Sequence, residues 1–135
     1  YAIENRKIEI KARQKQSLFR SSVLDNFGYQ CCLSDTKEEN LLIASHIIPW
    51  SENIQTRLDP SNGLCLSFVY DKLFDEGYFS LRSDFRVIFS NRVSELSPGI
   101  QNLMMSIDGK KIREPQNYPI SSEYIEYHRT NKLIK

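Results

Sequence analysis

His46, Asn62, Asp71 and Asp75 are the residues of this 135-residue chain whose types and spacing could do chemistry. They place one imidazole, one carboxamide and two carboxylates within the stretch Leu41 to Leu81. An imidazole of ordinary pKa, about 6.5, can take a proton from water at neutral pH. Asp71 and Asp75 are spaced i, i+4, which on a helix puts them on one face, a turn apart. Two like charges so placed repel unless something positive sits between them. Carboxylate oxygens favour a hard cation, Mg²⁺ or Mn²⁺, over zinc. Taken singly, each group also has an ordinary structural reading: a core histidine, a solvated helix face, a turn asparagine.

The elements that would hold these groups follow from the pattern. Leu41 to Ala44, continued by Ile47 and Ile48, is an apolar strand. Pro49 ends its pairing, because proline has no N–H to donate. His46 then sits near the end of a rigid element. Ser51 to Ser61 is polar and contains Asn53, Asp59 and Pro60, so it reads as a loop. Asn62-Gly63 reads as a tight turn, since both residues tolerate positive φ. Leu64 to Leu66 is a second strand. A short helix follows, with Ser67 as its N-cap and Gly77 as its stop; Val69, Leu73 and Phe74 form the packing side.

The wording SHIIPW, then R-x-D-P-x-N-G-L, then L-F-D-x-G resembles the HNH endonuclease family. It is especially similar to the HNH domains attached to bacterial restriction enzymes. The family motif maps onto His46, Asn62 sixteen residues on, and Asp71 nine further, an H-N-D variant. The resemblance implies an α+β fold with a ββα-metal core, a β-hairpin and a helix around one divalent metal. It implies that His46 is the general base. It implies that Asp71 and Asp75 hold the metal, and that Asn62 fixes the strand bearing His46 or reaches the metal. Ser45 occupies a position where many relatives carry an Asp or His ligand, so it joins the metal set only as a weak donor, with water filling the gap. The implied reaction is hydrolysis of phosphodiester bonds in double-stranded DNA, leaving 5′-phosphate and 3′-hydroxyl ends. The implied setting is restriction of foreign or modified DNA in a bacterial cytoplasm. Cutting both strands needs two sites, which would suit a homodimer. The alternatives are a binding module of the same fold that has lost cleavage, and a toxin-like nuclease acting on RNA.

Length and composition fit a single domain over residues 1–135, with the metal motif at 41–81. The chain begins at Tyr1 rather than Met, as a fragment of something longer would, and an attached domain could carry specificity. No apolar run approaches the roughly 18 residues of a membrane span, and no signal peptide is visible. Net charge is only +1, so the overall balance carries no argument for nucleic acid. The distribution does more. The first twenty residues hold Arg6, Lys7, Lys11, Arg13, Lys15 and Arg20 against Glu4 and Glu9, and the last ten hold His128, Arg129, Lys132 and Lys135. Three cysteines, Cys31, Cys32 and Cys65, suit a reducing compartment. Ser34 stands where a zinc-binding Cys pair would continue, so no structural zinc is expected, and Cys65 reads as a small buried hydrophobe.

Around the motif, residues 1–12 are ambiguous between strand and helix. From Arg13, the repeat Phe19, Val23, Phe27 predicts an amphipathic helix ended by Gly28. Its Gln16 to Arg20 wording is similar to the lead-in of the restriction-type relatives, so Gln16 and Arg20 are candidates to contact the substrate backbone or brace the site. Arg57, the one basic residue of the 51–61 loop, is the candidate to grip a phosphate, with a salt bridge to Asp59 as the alternative. Trp50 reads as hairpin packing. Cys31 to Leu33 should pack under the hairpin. Tyr78 to Leu81 and Arg86 to Ser90 predict a second hairpin, 98–106 a short helix, and Ser121 or Ser122 the cap of a final helix. There the wording YIEYHR again resembles the restriction-type group, making His128 and Arg129 secondary candidates for phosphate contact. For His128, packing is the stronger reading.

Overall fold

A computed structural model describes residues 2–135. The fold is α+β, with four helices and two small antiparallel sheets among the described residues. Helix α1 runs Ala2–Asn26, and strands β1 (Leu42–His46) and β2 (Gly63–Ser67) form the first hairpin. Helix α2 (Phe68–Asp75) follows directly. Strands β3 (Phe79–Leu81) and β4 (Val87–Phe89) form the second hairpin, and helices α3 (Pro98–Met105) and α4 (Ser122–Asn131) complete the chain. No helix among the described residues is long and apolar enough to cross a membrane.

The ambiguous first twelve residues are helical from Ala2 onward. Ala, Glu, Lys and Arg supply most of residues 2–12, and all are strong helix formers. Only the last two turns of α1 bury side chains, chiefly Phe19, Val23 and Leu24; residues 2–18 are exposed. Gly28 (φ 65°) and Tyr29 (φ 55°) end the helix in left-handed conformation, and the Tyr29 amide donates to the Leu24 carbonyl at 2.8 Å. Cys31 to Leu33 then enter the core, and the Cys32 amide donates to the Cys65 carbonyl at 2.8 Å, fixing the connector to β2.

Strand β2 is buried along its whole length, with α1 and α2 packed against the hairpin. That explains its unbroken apolar run, Leu64-Cys65-Leu66. The expected tight turn at Asn62-Gly63 is a correction. Asn62 closes a short 3₁₀ turn, Pro60–Asn62, and Gly63 is extended at φ −131° as the first residue of β2. Glycine is required there for closeness: a Cβ would collide with Val23 and press on Phe19. The Gly77 stop stands as expected at φ 82°, and its carbonyl accepts from the Ile134 amide at 2.9 Å. Ser67 occupies the N-cap position of α2, but its hydroxyl makes no capping bond and is buried without a partner among the described residues.

Candidate active site

His46 ends β1 opposite Gly63. Its ring stacks on Phe19 of α1, with centroids 4.2 Å apart and planes 10° apart, and meets Trp50 edge-on at 5.7 Å. Its Nε2 lies 2.8 Å from the Arg57 carbonyl oxygen. A carbonyl can only accept, so Nε2 carries the proton of the neutral ring and Nδ1 keeps its lone pair. Burial pushes the imidazole pKa below its usual value, opposed by the Arg57 carbonyl and by the negative charge of Asp71. Ring plane, tautomer and charge state are therefore all set by neighbours, which leave a neutral ring with an unengaged Nδ1.

Asn62 is fully buried and engages both ends of its carboxamide. Its Oδ1 accepts from the Ile48 amide at 2.8 Å; its Nδ2 donates to the carbonyls of Ile48 (3.1 Å) and Thr56 (3.2 Å). Its own carbonyl accepts from the Ile47 amide at 2.9 Å. Beyond His46 the strand ladder thus passes to one residue, which closes the loop 47–62 whose Arg57 carbonyl holds the histidine. With the carboxamide so engaged, the geometry favours the strand-fixing alternative over a reach to metal.

The acidic groups come from α2, which packs on β1. Asp71 is half-buried, and desolvation raises its pKa; the Ser45 hydroxyl beside it and the nearby His46 and Lys72 charges act the other way, while Asp75 raises it further. Ser45, His46, Asp71 and Asp75 are thus drawn into one electrostatic neighbourhood. A half-buried carboxylate with a second carboxylate a turn away is a donor set that fits a hard cation. Among the described residues no group of three or more His, Cys, Asp or Glu side chains could hold a metal. What the pair offers is two carboxylates, and water would complete the shell of a cation held there. The cysteines offer a poorer site: burial raises the Cys32 pKa well above its usual value and pushes that of Cys65 to about 12, leaving both as thiols.

The basic candidates divide. The Arg57 guanidinium lies 4.8 Å over the Trp50 ring and donates from Nε to the Trp50 carbonyl at 2.6 Å. It forms no ion pair with Asp59, which instead accepts from the Tyr124 hydroxyl at 2.7 Å and the Ser61 amide at 2.9 Å. Arg20 clamps the start of β1, donating to the carbonyls of Leu42 (2.7 Å) and Glu39 (2.9 Å), while Gln16 is exposed and lines the groove leading to His46. Arg129 donates to the Leu81 carbonyl at 2.7 Å. His128 is a correction: at 2% exposure it stacks on Phe74 at 3.8 Å, accepts from Ser80 Oγ at Nδ1 (2.7 Å) and donates from Nε2 to the Phe74 carbonyl (3.1 Å). Both nitrogens are engaged in the interior, so no phosphate can reach it. Sequence reasoning missed the second support of the loop. Tyr124 and Tyr127 of α4 donate to Asp59 (2.7 Å) and Glu52 (2.6 Å), and Lys132 pairs with Glu52 at 3.5 Å. Two tyrosines three apart near the C-terminus are the sequence signal for it.

The model of a protein family described as HNH endonuclease matches residues 31–82. The chain therefore carries an HNH endonuclease family domain, which spans the cysteine connector, the first hairpin, α2 and β3. Comparison with curated proteins finds no match.

Proposed function

We propose that the protein is a metal-dependent DNA endonuclease built on a ββα-metal unit, with β1, β2 and α2 as its parts. The observation that carries this reading is the state of His46. Its Nε2 proton is held by the Arg57 carbonyl, its pKa is lowered by burial, and Nδ1 is left as a lone pair in the neighbourhood of Asp71. In the proposed reaction Nδ1 takes a proton from the water that attacks phosphorus in line. The ring keeps its orientation through Phe19 and Arg57, and Asn62 acts as a positioning residue by holding the loop in place. Arg57 is suited to a phosphate oxygen, because a guanidinium offers a planar set of donors. Asp71 and Asp75, with Ser45 as a weak donor, would hold the divalent cation, Mg²⁺ or Mn²⁺. When bound, that cation supplies charge stabilisation at the phosphate and the departing 3′ oxygen.

Double-stranded DNA is the proposed substrate and restriction of foreign or modified DNA in a bacterial cytoplasm the proposed role, both on the resemblance of the motif wording to restriction-type HNH domains. A homodimer and an attached specificity domain belong to the same reading. A Mg²⁺ titration of duplex cleavage tests the assignment of the acidic groups. Asp71→Ala is expected to raise the Mg²⁺ concentration for half-maximal rate by at least about tenfold, the loss of one charged ligand being worth more than about 1.4 kcal/mol. An unchanged midpoint would place the cation elsewhere. Metal affinity without turnover would favour the binding-module alternative, and preference for single-stranded RNA the toxin-like one.

A further inference from the structure

One side of α1 runs without a break into the candidate active site. Ile8, Lys11, Ala12, Lys15, Gln16 and Phe19 recur at spacings of three and four and so share a face. Two adjoining grooves lie along it. The outer, of about 350 Å³, is bounded by Lys11 and Lys15 of α1 and by Trp50 and Arg57 of the loop. The inner, of about 360 Å³, is bounded by Gln16 and Phe19 and contains His46. Trp50 walls both. Neither groove is lined by a carboxylate, whereas Lys11, Lys15, Arg57 and Arg20 all line one or the other. Lys11 and Lys15 make no ion pair among the described residues.

We propose that this face of α1 is a track for the phosphate backbone on one side of the scissile bond. Lys11, Lys15 and Arg57 hold successive phosphates of one strand of duplex DNA, and the strand passes Trp50 to reach His46. The proposal rests on the nuclease reading above. From Ile8 to Arg20 the helix rises about 18 Å, the length of about five base pairs. That is a footprint for a few phosphates, too short to read a sequence and long enough to set register. Glu4 lies on the same face, a turn before Ile8, and closes the positive stretch. Arg6 and Arg13 lie nearly opposite Lys11 and Lys15 by helical spacing, on the stripe that ends at Arg20, whose guanidinium is already engaged by the Leu42 and Glu39 carbonyls.

The test measures binding of a labelled duplex to the full chain carrying His46→Ala, between about 50 and 200 mM salt. On that background the pair Lys11→Ala/Lys15→Ala is compared with the charge-matched pair Arg6→Ala/Arg13→Ala. Alanine favours helix, and circular dichroism checks that α1 is retained. Loss of two phosphate contacts should lower the slope of log K against log salt by about 1.8, with a much smaller change for the far-side pair. Cleavage by the chain with His46 intact is followed in parallel. If it cleaves duplex DNA and the track pair leaves slope and rate unchanged, the track is wrong and the nuclease reading stands. Equal losses for the two pairs would also overturn the track, showing a diffuse charge effect. Neither binding nor cleavage of duplex DNA by the parent chain would overturn both readings.

Discussion

Two histidines in one chain have opposite fates, and the reason is what each nitrogen meets. His46 has one nitrogen on a backbone carbonyl and one unengaged; His128 has both engaged in the core. Burial holds His128 down to a pKa of about 4. Because the folded value lies below the unfolded one of about 6.5, its neutral form stabilises the fold fully above that pH. The contribution is lost as pH falls from about 6.5 to about 4 and amounts to about 3 kcal/mol. Chemical denaturation from pH 7 to 4 should show this loss in the parent and a flatter profile in His128→Phe; parallel profiles would contradict it. His46 titrates in the same direction for the same reason, desolvation. A base must be neutral, so the cleavage rate should fall with pH at an inflection below about 6.5; an inflection above that value would remove the base assignment. Which histidine was which could be read in part from the chain: Pro49 and the loop after His46 marked an element end. The Ser80 and Phe74 partners of His128 lie 48 and 54 residues away and leave no local pattern.

At the scale of elements, the order of strands and helices was legible, because apolar runs, proline and glycine punctuate them. The reasons for individual residues were less so. Gly63 serves the closeness of α1 to β2 rather than a turn, a tertiary cause that dipeptide rules cannot carry. The first half of α1 was ambiguous because it buries nothing and so shows no hydrophobic period; only propensity marks it as helix. The loop 47–62 depends on Asn62 from within and on Tyr124 and Tyr127 of α4 from outside. Asn62→Ala would orphan the buried Ile48 amide and two carbonyls, costing at least about 2 kcal/mol. The expected signature is faster hydrogen exchange at the Ile48 amide together with weakened cleavage; retained protection of that amide would show that the loop closes without Asn62.

At the scale of the molecule, the chain is nearly neutral and yet polarised. A net charge of +1 conceals a helix whose first half is exposed and two of whose three lysines line the approach to His46. The α+β class and the segment that the HNH endonuclease family model matches are legible in the sequence, the latter from motif wording as much as from physics. Unread was the way the C-terminal third ties the whole together. Asn26 at the end of α1 accepts from the amides of Asn117 and Tyr118 at 2.8 Å each, and α4 reaches back to the site loop. These bonds join residues far apart in sequence, so no window of sequence contains them. The HNH endonuclease domain at residues 31–82 is thus held by segments on both sides of it. The most direct measurement is cleavage of supercoiled plasmid with Mg²⁺, with Mn²⁺ and with EDTA, comparing the parent chain with His46→Ala. Metal-dependent nicking or linearisation, lost on chelation and reduced by about 10²-fold or more in the variant, is the expected result. Cleavage that persists undiminished in His46→Ala, or no cleavage by the well-folded parent with either metal, would contradict it.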